Sequence, residues 1–490
     1  MAQVDIPWPI TAQPGRKPGE SQGTLVNAYA ARIGEKIRIR RTPGLRRKVA
    51  LANGTGLKPR GLFEVSTSLL NAWTDRMLLM QPDGTNVAVI SPLAGSTPII
   101  FAKNMRPITP DVVMVTIDQG AFIYDLADNT VKPYPAGAVG AVESVEYFSG
   151  YFFFTRRDGT ILASELQSTD VEALSVASSE YVADELFRCK STGNALAVMS
   201  SKSIEFWVDV AGDPFPLQRQ SSIDAGLIGP YAVAGGSSEW ENGLLWVSGD
   251  CTVRMLHGYD PVVVSNDDVV ADIKRSQDRN FELFAQVYTF NAQAFWSLTG
   301  PDFTWEYNLV TKGWNKRESF SPLLTTPFQT LPFWRARFAS RYGQRWMCQD
   351  IHMGMIHEID PDYFQEDTER VRYRVESGPV KQFPVNFRIP SIDFDMTSGL
   401  GSVERPSPFE TNPAVMVSWS HDGGANWSNP LARSLGQQGR YANKVTVNNL
   451  GRSTSKGVMI RVECVDPVWV SLESAISTRT KASRPRQVLA

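Results

Sequence analysis

The sequence predicts an all-β protein: a β-propeller of about six or seven blades, with an N-terminal arm and a small C-terminal β-sandwich-like domain. Three observations predict it. Between about residues 57 and 370 an apolar run, a polar turn and a second apolar run recur. Many of the turns carry Asp-Gly or Gly, which supply the positive φ of a tight hairpin. Few windows place apolar residues at i, i+3, i+4 and i+7; Asp267 to Ala285 is the main candidate for a helical insert.

The repeats follow in order. Met77–Met80 leads through Pro82-Asp83-Gly84 to Val87–Ile90, and Val112–Val115 leads through Asp118-Gln119-Gly120 to Ala121–Tyr124. Tyr151–Phe154 leads through Arg157-Asp158-Gly159 to Ile161–Ala163, and Ala195–Val198 leads to Ile204–Trp207. Leu244–Val247, Ala294–Trp296 and Trp346–Cys348 open three further hairpins. The first strands start at 77, 112, 151, 195, 244, 294 and 345, so the period runs from 35 to 51 residues. Strand-only repeats of roughly 40–50 residues are the mark of propeller blades, because one hairpin cannot cover its own apolar faces.

The expected organisation is an arm over 1–55, the propeller over 56–370, a C-terminal β-rich domain over 371–476 and a flexible tail over 477–490. Residues 401–413 read as a Ser/Pro/Gly-rich linker. Alternating segments such as Met416–Trp419, Lys444–Val447 and Val458–Val462 give the C-terminal domain its sandwich reading. The arm holds the one dense charge run, with Arg38, Arg40, Arg41, Arg46, Arg47 and Lys48 close together. Such a run is either a strand edge protected by its charges or a contact with an acidic partner or DNA phosphates.

The bulk numbers narrow the function. The formal charge of −2 gives no global basic field of the kind a dedicated nucleic-acid binder carries. Cys189, Cys251, Cys348 and Cys464 are far apart, so neither a CxxC zinc site nor a disulfide framework is expected, and a reducing compartment fits. Met1 to Pro14 lacks a signal-peptide pattern, and no stretch nears the ~18 apolar residues of a membrane helix. No membrane insertion is expected. Synthesis and assembly in a cytoplasm fit these features.

Tests for chemistry come back empty. His352 and His357 are five apart in strand context, unlike HExxH, and read as blade-surface residues together with His257 and His421. No P-loop and no GxSxG elbow occurs. No catalytic residue, metal site or cofactor is expected. One motif is sharp: Ser420, Asp422, Gly424 and Trp427 satisfy S-x-D-x-G-x-x-W, which resembles the Asp-box of sialidases and related propellers. In those families the Asp caps a hairpin turn, the Gly takes an unusual φ and the Trp packs beneath; a structural hairpin is expected here.

Several segments in order resemble the tail-hub (nozzle) proteins of short-tailed bacteriophages, also called packaged-DNA stabilisation or head-completion proteins. They are Leu25-Val26-Asn27-Ala28-Tyr29-Ala30 with Thr42-Pro43-Gly44-Leu45, then Ser203–Trp207 with Ser221–Gly229, then Trp246–Gly249 and Val262–Ser265. The C-terminal part adds Leu435-Gly436, Gly439-Arg440-Tyr441 and Leu450-Gly451-Arg452. The resemblance implies a structural, non-enzymatic virion protein: a hexameric ring below the portal and its adaptor ring. It would retain packaged DNA and form its exit conduit, with needle or fibre proteins as further partners. Double-stranded DNA would pass without sequence-specific binding. The basic run would then be the adaptor contact. Two other readings compete. A glycan-binding or glycan-processing Asp-box propeller predicts an arginine cluster and a Tyr/Glu pair facing the propeller axis. A monomeric WD-like or kelch-like adaptor predicts regular blade signatures, which the sequence lacks.

Overall fold

The fold is described from a computed structural model covering residues 2–481, apart from 18, 136–137, 180, 182–183, 237–239, 241, 280, 323–328, 383–385 and 402–407. The chain forms two compact units. One takes in Arg46–Pro301 and Arg335–Ile359; the other takes in Met1–Leu45, Asp302–Trp334 and the chain from Asp360 onward.

The first unit is the propeller. Blades 1 to 5 are four-stranded antiparallel meanders. Their innermost strands are Pro59–Val65, Ile100–Lys103, Ser144–Phe148, Leu186–Ser191 and Val233–Gly235. Blade 6 contributes Phe284–Phe290 and Gln293–Thr299 to this unit. Blade 7 consists of Ala336–Tyr342, Arg345–Asp350 and Met353–Asp360, with Gly44–Thr55 as its fourth strand. The Lys48 ammonium lies 2.6 Å from the Glu358 carboxylate. Blade 7 is therefore made from both ends of the propeller sequence, which closes the ring. Innermost strands of successive blades are neighbours around the axis; between blades 4 and 5 the Ser191 carbonyl abuts Gly236.

The second strands of the blades are mostly apolar because both of their faces are buried. Val112 and Met114 pack toward Leu70 and Leu79 of blade 1. Their neighbours Val113 and Val115 pack toward Phe152 and Phe154 of blade 3. Phe153 then meets Leu196 and Val198 of blade 4. Leu69 and Trp73 meet Met347 and Ile356 of blade 7. Asx turns fix the hairpins: Asp83 and Asp158 each accept from the backbone N–H two residues on, at 2.9 and 3.0 Å, beside Gly84 and Gly159 with positive φ. The expected helix is present as Asp267–Gln277, capped by the Asn266 side chain, with acids in its first turn and Lys274 and Arg275 in its last.

The other unit is built mainly on two sheets, with a two-stranded pair of Ser319–Phe320 and Thr330–Leu331 beside them in sequence. One orders Ala28–Ile33, Lys36–Arg41, Ser471–Lys481, Phe387–Met396 and Val445–Arg452, with Ala2–Asp5 also paired to Ser471–Lys481. The second includes Thr24–Val26, Tyr373–Glu376, Met459–Cys464, Ala414–Ser420 and Leu431–Ser434. The structure thus divides the chain differently from the sequence reading. The stretch 1–55 is not a free arm: Leu25, Val26, Ala28 and Tyr29 are buried in this unit, and 46–55 belongs to the propeller. An apolar β-hairpin has to bury one face, and this one pairs with Ser471–Lys481. Residues 302–334 and 360–370 likewise leave the propeller. Of the expected tail, 477–481 continue a strand and 482–490 lie outside the described residues. Of the expected linker, 402–407 lie outside them, and Pro408–Thr411 forms a short helical turn.

Candidate functional site

The family-like motifs prove to be structural joints. Asn27, at φ 48°, sends its amide to the carbonyls of Glu318 and Arg372 at 3.0 and 2.9 Å. Its carbonyl oxygen accepts from the Arg317 Nε at 3.1 Å. Pro43 offers its carbonyl to the same guanidinium at 3.2 Å. Gly44 admits no side chain, since a Cβ would stand 2.3 Å from the Tyr363 and Gln365 carbonyl oxygens. Both halves of the opening motif therefore converge on one buried cation. In the middle motif, fully buried Glu205 accepts from the Trp207 indole at 2.9 Å and lies 3.4 Å from Arg219. The Ala225 carbonyl accepts from the Trp246 indole at 3.0 Å.

The basic run does not act as one exposed strip. Arg41 is buried and donates to the carbonyls of Val371, Asp466 and Val468. It is a structural residue, and this corrects its assignment as a contact. Burying a guanidinium calls for such a cradle of acceptors. Arg38 lies 2.7 Å from Glu473, which Lys36 also meets, and Arg40 stands 5.5 Å over the Trp469 ring. Arg46 and Arg47 are exposed on the closing strand of blade 7, beside Lys48 and its partner Glu358.

The Asp-box forms a closed turn. The Ser420 hydroxyl donates to Asp422 at 2.7 Å and accepts from the Gly424 N–H at 2.9 Å. The Asp422 carboxylate accepts from the Asn426 backbone N–H at 2.9 Å and from its side-chain amide at 2.7 Å. The Asn426 backbone N–H first, then the Ser420 hydroxyl and the Asn426 side chain, hold the Asp422 carboxyl at about 2. The Trp427 indole donates to the Gly424 carbonyl at 3.0 Å, and the Arg461 guanidinium covers the ring at 3.8 Å. The ring is half-buried. Trp427→Ala is accordingly expected to cost about 1–2 kcal/mol rather than the ~3–5 of a fully buried ring, checked by urea denaturation.

Two histidines are not surface residues of one kind. His357 is fully buried against Asp350, and His352 is half-buried beside it. Sequence reasoning missed this buried polar cluster, since its members Arg335, Asp350 and His357 lie on different strands or loops.

It also missed the axial pocket, a cavity of about 340 Å³ lined by the innermost strands of all seven blades. Lys103, Glu146, Arg188, Lys190, Tyr231 and Arg337 bring its polar groups. Lys190 pairs with Glu146 at 3.2 Å, and the Ser191 N–H caps the same carboxylate at 3.2 Å. Lys103 donates to the Glu64 carbonyl at 2.8 Å and sits over Phe63. Burial lowers the pKa of Arg188, and burial, partly offset by Glu282, lowers that of Arg337 to about 10. Burial pushes the Tyr231 phenol well up.

The family model described as bacteriophage P22 Gp10, beta-propeller, matches residues 29–364; the model described as bacteriophage P22 Gp10, beta-sandwich, matches residues 386–477. The chain belongs to the bacteriophage P22 Gp10 family. Gp10 membership makes it a structural protein of the phage tail, from the tail-hub family of short-tailed phages, and a virion component. The Gp10 propeller match spans the Asn27–Pro43 joint only from residue 29, so Arg317 and Pro43 fall inside it and Asn27 just outside. No curated protein matches the sequence. Among solved structures, the WD40 β-propeller domain of Doa1 aligns with a TM-score of 0.41 at 9% identity, covering 64% of this chain and 96% of that one.

Proposed function

We propose that the chain assembles as the ring-shaped tail hub below the portal and its adaptor, retaining packaged DNA and guiding its exit, with no catalytic role. The observation that carries this reading is the ordered match of both Gp10 family models along most of the chain. A ring of rigid blades suits a load-bearing component, because the shared last blade leaves the ring no open end. A formal charge of −2 suits a conduit that lets DNA pass without gripping it. Heterologous contacts that close on themselves would give a ring of copies, a hexamer by the family resemblance. Assembly takes place in the host cytoplasm, and needle or fibre proteins bind the finished hub.

Arg46 and Arg47 are the residues of the basic run most suited to the adaptor contact, since both are exposed. The test is solution mass by light scattering, alone and with the portal–adaptor ring. A closed oligomer, or a monomer that becomes a ring on the adaptor, is the expected result; a strict monomer that ignores the adaptor defeats the proposal. Arg46→Glu with Arg47→Glu is expected to weaken docking at least tenfold and to leave the melting temperature nearly unchanged. Normal docking by this variant would remove the strand from the interface.

A further inference from the structure

Two arginines stand out in the axial pocket. Arg188 and Arg337 both line it, and neither makes a salt bridge to a carboxylate among the described residues. Each sits at a register shift in an innermost strand, between Leu186 and Arg188 in blade 4 and between Arg337 and Ser340 in blade 7. A bulge re-aims a side chain at the expense of regular pairing. The blade 7 bulge also holds Phe338 at φ 55°, a conformation that is an outlier for a bulky residue. Gln286 of blade 6 fixes it there, donating to the Ala336 carbonyl at 3.3 Å and accepting from the Ala339 N–H at 3.1 Å.

The surroundings narrow what the guanidiniums face. Arg337 lies 4.1 Å over the Phe284 ring, which stacks on Tyr231 at 5.4 Å. Tyr231 is 7% exposed, and its hydroxyl has no hydrogen-bond partner among the described residues. Arg188 spends one nitrogen on the Pro230 carbonyl at 2.9 Å. Across the pocket Phe63 and Phe101 form a second stacked pair at 5.2 Å. A volume of about 340 Å³ admits a small molecule and excludes a DNA duplex or a folded partner.

We propose that the axial pocket binds a small carboxylated sugar, with Arg188 and Arg337 taking its carboxylate and the Tyr231 hydroxyl meeting a ring hydroxyl. Guanidinium forks match a carboxylate and form charge-assisted hydrogen bonds with it. Glu146, already neutralised by Lys190, is placed to accept from a sugar hydroxyl. The inference stands apart from the tail-hub reading, since ring formation is read by mass and pocket occupancy by titration.

The test is calorimetric titration of the full chain with glucuronate, with glucuronamide, which differs only in the charged group, and with inorganic phosphate. Saturable binding of glucuronate, at least roughly tenfold tighter than glucuronamide, is expected. That preference should vanish in Arg337→Gln and in Arg188→Gln. Should either variant fail to fold, the paired ligands on the unaltered chain still decide. Equal binding of the two sugars, no binding of either at millimolar concentration, or binding of phosphate but not glucuronate overturns the proposal.

Discussion

Asp350→Ala is expected to destabilise the propeller by about 3–5 kcal/mol, the cost of stranding buried charge. The Asp350 carboxylate lies 2.7 Å from the Arg335 guanidinium and 3.2 Å from the His357 ring, and all three side chains are fully buried. Its other oxygen accepts from the His352 and Met353 N–H groups at 2.8 and 3.1 Å. Removing it leaves a guanidinium and two backbone donors without that acceptor inside blade 7. Urea denaturation followed by tryptophan fluorescence reads the loss; a change under 1 kcal/mol would show that water or neighbours replace the carboxylate. The same group predicts an acid response. Burial raises its pKa, but Arg335 and the His357 hydrogen bond outweigh that and bring it from 3.8 to about 2. A depressed carboxylate stabilises fully above its unfolded value and loses that contribution as pH falls through the folded one. Stability should therefore fall between about pH 4 and 2, and that slope should flatten in Asp350→Ala.

A comparable loss, again about 3–5 kcal/mol, is expected for Arg317→Ala in the other unit. Arg317 is fully buried, lies 3.3 Å from Glu306 and 3.9 Å from Glu366, and stacks 4.0 Å over Trp334. It also holds Asn27 and Pro43, so its removal frees the strand Thr24–Val26 at one end. Hydrogen exchange at 24–29 should quicken along with the drop in stability. Recovery of part of the loss by Arg317→Met combined with Glu306→Leu would locate the cost in the stranded carboxylate, since apolar replacement of a buried pair is often neutral. A variant as stable as the parent, with unchanged exchange, would remove Arg317 as the joint.

The sequence made the middle strands of the blades legible, for a physical reason. Val112–Val115, Phe152–Phe154 and Leu244–Val247 are buried on both faces and stand out as apolar runs. The innermost strands did not stand out, because one side faces the axis and carries Glu146, Arg188, Lys190 and Arg337. Mixed polarity in Leu186–Ser191 looks like a loop until the ring is closed. The pocket was invisible for the same reason, being assembled from one short piece of every blade. Arg41 illustrates the opposite error. Local charge density placed it at the surface with Arg38 and Arg40, whereas strand alternation with Ile39 and the carbonyls of Val371, Asp466 and Val468 bring it inside. The unit boundaries were unreadable because chain segments distant in sequence share a sheet, as Lys36–Arg41 and Ser471–Lys481 do.

The closing strand Gly44–Thr55 has a consequence for the nascent chain. Its neighbour in blade 7, Met353–Asp360, is made only after 297 residues have intervened between Thr55 and Met353. At ~5–20 residues per second, translation leaves the strand without that neighbour for roughly 15–60 s. During that wait it is an unpaired edge in a crowded cell, where strands of other chains could add to it. Arg46, Arg47 and Lys48 in succession keep such intruders off by mutual repulsion. Once the last blade emerges, Glu358 arrives on the incoming strand and meets Lys48, so the edge that was charged while open carries an ion pair once closed.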